Sequence, residues 1–319
     1  MRGDVSESSS GYFSLVFHAH LPFVRHPEHD EFLEERWFFE AMNETYLPLM
    51  VIFDRLVREG VDFRVTWSFT PTLLSMLGDE LLRDRYQAYL EGLIELSEKE
   101  LDRLALEPQQ LETAEFYYDR LRLLREIYVD VCERDIVLHF RKLQDDGYVE
   151  VLTSAATHGF LPLLRRHPAS VRAQVRTGVE VYRESFGRDP AGFWLPECGY
   201  YPGVDDVLAE MGIRFFFLES HGVLNGSRRA HYGVHAPIVC PSGVAAFGRD
   251  PDSSKQVWSA EEGFPGDPNY REFYRDIGYE LPEDYIGKYI GPDGIRTQTG
   301  FLYKQWVGGL DRISLLKLE

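Results

Sequence analysis

Phe193-Trp194-Leu195-Pro196-Glu197-Cys198-Gly199-Tyr200-Tyr201-Pro202 is the most informative run in the chain. Its apolar start, from Gly192 to Leu195, has the length of a short buried strand, and Pro196, with no N–H to donate, ends the ladder there. A carboxylate, Glu197, is therefore expected at the C-terminal end of a strand. Gly199 and Pro202 punctuate a turn, after which residues 204–211 read as a short amphipathic helix with Gly212 as its C′ residue. Strand, acidic residue and helix in this order is how α/β barrels present reactive groups at their upper rim. A strand-end Glu also bonds local backbone or pairs with an Arg in many proteins, and the pattern alone leaves both readings open.

The same layout recurs upstream. Tyr12-Phe13-Ser14-Leu15-Val16-Phe17 reads as the first strand and empties into His18-Ala19-His20-Leu21-Pro22. A spacing of two puts both imidazoles on one side of an extended chain, where they face one site together, or one is core and the other solvated. Residues 37–56 read as helix and 63–68 as the second strand; Thr70 then caps the next helix and Pro71 opens it. No strand is visible from there to Asp146. Tyr86, Leu90, Leu93, Ile94 and Leu101, then Leu121, Leu124, Ile127, Tyr128 and Val131, recur at helical spacing among charges of both signs. Residues 71–146 are thus expected to form a helical insertion beside the main site.

The third strand, 147–153, is followed by His158, and a helix over 168–186 closes with Gly187. Beyond Glu197 come a strand at 214–218 and a loop at 219–237, rich in Gly, Ser, Arg and His, which carries Tyr232 and is read as a mobile flap. Two short apolar runs follow, the second leading to Gly248-Arg249-Asp250, and a helix is expected near 270–277. Strands alternating with helices predict a parallel sheet, with His18, His20, His158, Glu197 and Arg249 all at C-terminal strand ends. The strands are too few to close a barrel, so residues 1–70 and 147–319 are expected to form a barrel still incomplete at the last residue.

Composition narrows the ligand. With 319 residues, 44% hydrophobic and 27% charged, the chain suits a soluble protein with a sizeable core. A net charge of −18 argues against nucleic acid and anionic membranes, since there is no basic surface to release counterions from a polyanion. A neutral ligand is the expected partner, and 18 Tyr and 21 Phe offer flat faces with polar tips that suit sugar rings. Cys132, Cys198 and Cys240 lack C-x-x-C spacing, which indicates neither a disulfide framework nor a Cys-based zinc site and fits a cytoplasmic setting. No run approaches the ~18 apolar residues of a membrane span, and the polar N-terminus has no signal-type apolar region.

His18-Ala19-His20-Leu21-Pro22, then Gly147-Tyr148-Val149-Glu150-Val151-Leu152 with His158, then Trp194-Leu195-Pro196-Glu197-Cys198-Gly199-Tyr200 stand in the order of the first three conserved regions of glycoside hydrolase family 57, which the chain resembles. Tyr232-Gly233-Val234, Ala246-Phe247-Gly248-Arg249-Asp250, Gln256-Val257-Trp258-Ser259 and Tyr270-Arg271-Glu272-Phe273-Tyr274-Arg275-Asp276-Ile277-Gly278 bring it nearest to that family's α-1,4-glucan branching enzymes. The resemblance implies an incomplete (β/α)7 barrel with a helical insertion, followed in the family by a helical C-terminal domain, and neither metal nor cofactor. It also implies retaining double displacement on an amylose-like or glycogen-like glucan. Glu197 would be the nucleophile, with His18, His20, His158 and Arg249 holding the sugar, Trp258 as a stacking wall and Tyr232 as the tip of the mobile loop.

One part of that pattern has no counterpart. The family's acid/base is an Asp in a fourth region beyond the matched part, and Asp250 and Asp276 are the in-chain candidates without its sequence context. Retaining chemistry needs two carboxyls about 5–5.5 Å apart. The chain is therefore expected to be an N-terminal piece, partial or inactive as it stands. Rival readings are an α-amylase or 4-α-glucanotransferase of the same family, a glucan-binding fragment without turnover, and a metal-dependent amidohydrolase. The last also begins with His-x-His after a first strand but needs more ligands than His158 and Glu197 supply.

Overall fold

The computed structural model describes residues 11–259, 261–263, 275–291 and 294–303. The first strand, β1 (Val16–Ala19), starts later than the sequence predicts: Tyr12 and Phe13 are exposed, and the pairing with the next strand begins only at Val16, opposite Thr66. His18 consequently lies inside the strand and only His20 lies beyond it. Next come α1 (Glu35–Ala41), a π-helical turn Met42–Tyr46 and α2 (Leu47–Arg58), which run on as one rod. Phe38, Met42, Leu47, Met50 and Phe53 form its buried face, three to five residues apart as an apolar helical stripe requires.

Between β2 (Val65–Phe69) and β3 (Val149–Ser154) the chain is helical. α3 (Pro71–Leu77) is capped by Thr70, whose hydroxyl accepts the Leu73 N–H, and α4 (Glu80–Arg103) is capped by Asp79. α5 (Pro108–Glu126) and α6 (Ile136–Asp145) follow, and Tyr86, Leu90, Leu124 and Phe140 join the core that β1 to β3 share. α7 (Leu161–Leu164) and α8 (Pro168–Phe186) lead to β4 (Gly192–Trp194), and Gly187 ends α8 at a φ of 68°, which glycine adopts without strain. The remaining elements are α9 (Val204–Glu210), β5 (Phe215–Leu218), α10 (Ser220–Leu224), β6 (Ile238–Val239), β7 (Ala245–Gly248), α11 (Pro251–Trp258), α12 (Ile277–Glu280) and α13 (Glu283–Ile286). The segment expected as a flap thus begins with a helical turn, and the helix expected near 270–277 falls largely outside the described residues.

The seven strands form one sheet in the order β1-β2-β3-β4-β5-β7-β6. All neighbours run parallel except the β6–β7 hairpin, and among the described residues β1 and β6 are its edges and do not pair with each other, in keeping with the unclosed barrel that the sequence predicts. Alternation along each strand separates two faces. Trp67, Phe69, Val151, Phe193, Phe216 and Leu218 pack against the helices, whereas Leu152, Trp194 and Phe217 pack together on the opposite face. α8 lies so close to β3 that a Cβ on Gly178 would stand 2.0 Å from the Ser154 carbonyl oxygen. Thr153 clamps the same contact by donating to the Gly178 carbonyl at 2.8 Å.

Candidate active site

The parallel register decides which groups meet at the C-terminal edge of the sheet. His18 pairs with Ser68, so His18-Ala19-His20 lies beside Ser68-Phe69-Thr70 and each imidazole finds a hydroxyl one strand over. Nδ1 of His18 is 3.2 Å from Ser68 Oγ, and Nδ1 of His20 is 3.1 Å from Thr70 Oγ1. His158, beyond β3, repeats the arrangement with Ser154 Oγ at 3.1 Å. The rings stack: His20 on His158 at 3.9 Å, His18 on His158 at 5.0 Å, and His18 on Trp194 at 4.2 Å and 11°.

Burial, reinforced by His158, His20 and the charge of Arg249, lowers His18 to about 2. Burial and then His20 take His158 down to about 3, and burial lowers His20 as well. The stack is therefore uncharged near neutral pH, and it meets a ligand as neutral donors and acceptors. An uncharged, hydroxyl-rich molecule matches such a wall better than an anion does.

Glu197 stands in a 3₁₀ turn, Pro196–Cys198, with a φ of 52° and a ψ of 25°. Cys198 and His158 also have a φ of 52°. A left-handed backbone costs a non-glycine residue of order 1–3 kcal/mol, so the surroundings must hold all three. Gly199 shows how tightly: a Cβ there would lie 2.2 Å from the Phe160 ring. Cys198 is buried under the turn, and burial pushes its thiol up to about 11, which leaves it as filling rather than a nucleophile. The turn throws the Glu197 side chain outward, 76% exposed, with Oε1 3.9 Å from Nε2 of His158.

Arg249, beyond β7, reaches the same edge and donates to Glu219 Oε1 at 2.5 Å. Glu197, His18, His20, His158 and Arg249 are thus brought together. Tyr232 is 66% exposed and packs edge-on against His231; among the described residues none of the ring contacts of the histidine stack includes it. Trp258 ends α11 and its side chain lies outside the described residues. Asp250 caps α11 by accepting from the Ser253 N–H and hydroxyl, and those bonds hold its carboxyl below the usual range, the opposite of what a general acid needs. Asp276 is 1% exposed and its two oxygens accept from Gly278 N, Thr299 N, Thr299 Oγ1 and Gly300 N, which makes it a loop anchor.

Ser68, Ser154, Glu219 and Trp194 were not singled out from sequence as site residues, and Thr70 only as a cap. One signal was available: Ser68-x-Thr70 repeats the period of His18-x-His20 at the end of the next strand. Among the described residues, no group of three or more His, Cys, Asp or Glu is placed to hold a metal ion, and the stacked imidazoles do not converge as metal ligands do.

The fold and the placement of these groups define an unclosed α/β barrel with its polar residues gathered at the C-terminal strand ends. The sequence profile of glycosyl hydrolase family 57 matches residues 14–279, and the chain belongs to that family. It is 38% identical over 291 residues to a 1,4-alpha-glucan branching enzyme of Thermococcus kodakarensis, a match covering 83% of this chain and 42% of that protein. Among solved structures it is similar to the alpha-amylase AmyC of Thermotoga maritima, with a TM-score of 0.89 and 44% identity over 95% of this chain and 59% of that one. A family 57 branching enzyme of Pyrococcus horikoshii matches with a TM-score of 0.78 and 35% identity, over 95% of this chain and 55% of that one. The chain thus spans about half the length of these relatives. Among the described residues no helix is long and apolar enough to cross a membrane.

Proposed function

We infer that this chain processes α-1,4-glucans by retaining double displacement, with Glu197 as the nucleophile. The observation that carries the reading is the exposed Glu197 carboxylate, held on a strained turn 3.9 Å from the buried, uncharged His158. Its oxygen would bond to the anomeric carbon as the glycosidic C–O bond breaks, while His18, His20, His158 and Arg249 hold the sugar's hydroxyls. The finer activity we propose is branching: transfer of the glucosyl-enzyme to a glucan 6-hydroxyl instead of to water. In this reading residues 71–146 form the insertion beside the barrel, and Trp258 and Tyr232 face the acceptor. The 44% identity to the Thermotoga amylase supports hydrolysis as the second reading.

Breaking a glucan bond also needs a proton for the leaving oxygen. Asp250, Asp276 and Glu219 are occupied as helix cap, loop anchor and partner of Arg249, which argues against each of them as that acid. An α-glucosyl fluoride avoids this requirement, because fluoride departs without a proton. With a 5-fluoro sugar that slows turnover, the expected result is one glucosyl adduct on the peptide containing Glu197, and none in Glu197→Gln. An adduct on another carboxylate would remove Glu197 from the mechanism. Debranching the product made from amylose and counting chains then separates branching from hydrolysis.

A further inference from the structure

We propose that Ser154 is a positioning residue: one buried hydroxyl fixes the His158 tautomer and ties the end of β3 to the residue that leads into the Glu197 turn. The proposal rests on the reading of Glu197 given above. Ser154 is fully buried, and its Oγ donates to the Trp194 carbonyl at 2.8 Å. A hydroxyl has one hydrogen. With that hydrogen committed to Trp194, the 3.1 Å contact to His158 Nδ1 has the imidazole as donor. His158 is therefore the Nδ1–H tautomer, and its Nε2, a bare lone pair, faces Glu197 Oε1 at 3.9 Å.

The opposite tautomer would place an N–H against the carboxylate. Closing from 3.9 Å to hydrogen-bond distance, it would form a charge-assisted bond that stabilises the anion and draws away the electron density with which it attacks. With the Ser154 hydroxyl in place, Nε2 and the carboxylate are two acceptors that cannot bond each other, and both remain open to sugar hydroxyls. Ser154 cannot drift from this position. Ser154 pairs with Trp194 across β3 and β4, and Gly178 presses against its carbonyl oxygen from the other side of the sheet. The same hydroxyl satisfies the Trp194 carbonyl three residues before the left-handed Glu197.

The test reads the ring nitrogens of His158 directly. In ¹⁵N-histidine-labelled protein, with the His158 signals assigned by their loss in His158→Gln, the wild-type chain is expected to show a protonated Nδ1 and a pyridine-type Nε2. Ser154→Ala is expected to shift the population toward Nε2–H and to slow labelling by the glucosyl fluoride about 10-fold, on the order of one lost hydrogen bond to a positioned group. Ser154→Thr, which keeps the hydroxyl, is expected to restore both. A wild-type spectrum with Nε2–H overturns the proposal without any Ser154 variant needing to fold, and so do ring nitrogens unchanged in a folded Ser154→Ala. Absence of labelling in the wild-type chain would instead overturn the nucleophile reading, while the nitrogen spectra still decide the tautomer.

Discussion

His158 and Glu197 share a backbone φ of 52°, and their side chains meet with Nε2 3.9 Å from Oε1. Each follows the end of a strand, β3 or β4, and each turns out of its ladder in a conformation that its side chain disfavours. Two such residues cost of order 2–6 kcal/mol together, a sum that persists only where packing and hydrogen bonds hold the turns. Phe160 against Gly199, Ser154 against Trp194, and the stack of His20 on His158 are the contacts that hold them. Strain held at one end of a sheet, around an exposed carboxylate, is where a reactive group is expected.

The buried imidazoles make stability depend on acidity. His158 falls from 6.5 to about 3 on folding, so as pH drops the unfolded chain takes up the proton first. Its contribution is complete above 6.5 and is lost as pH falls from there toward 3, at roughly 1.4 kcal/mol per pH unit. Urea unfolding at pH 7, 6, 5 and 4 should therefore show a shallower decline for His158→Gln than for the parent. Parallel curves would mean that the imidazole is solvated and charged in the folded protein.

Asp276→Asn separates anchor from acid. The amide replaces an oxygen with a donor facing N–H groups, which should destabilise the fold by about 2–4 kcal/mol and leave glucosyl-fluoride labelling of folded protein unchanged. Asp250→Asn keeps a capping side chain and should alter melting and labelling little. Loss of amylose turnover in either variant, with melting unaltered, would make that carboxylate the acid.

Among the described residues Tyr232 has its ring contact with His231 and is largely exposed, so Tyr232→Ala should change melting little. If the 225–237 segment closes over the glucosyl-enzyme, the variant should raise hydrolysis relative to transfer, because water then competes better for the intermediate. The ratio of reducing ends to new branches measures this. An unaltered ratio would place Tyr232 away from the acceptor.

Local rules made a good part of this legible in sequence. Pro196 stops a strand because it lacks an N–H, the spacing of two in His18-Ala19-His20 puts both rings on one face, and Thr70 before Pro71 marks a helix start. These effects act within a few residues, so the order of strands, the helical stretch between β2 and β3, and the carboxylate at a strand end could all be read directly. Other features depend on partners far apart in the chain. His18 and Ser68 are 50 residues apart, and Ser154 and Trp194 are 40 apart. Asp250 and Asp276 looked like free carboxylates in sequence, yet one caps a helix and the other is closed in by a loop 23 residues on. Only the packed sheet decided that His158 carries its proton on Nδ1 and turns a bare nitrogen toward Glu197: Ser154 is a near neighbour of His158 in sequence, but the register between β3 and β4 brings the Trp194 carbonyl within 2.8 Å of its hydroxyl and takes up the hydroxyl's one hydrogen.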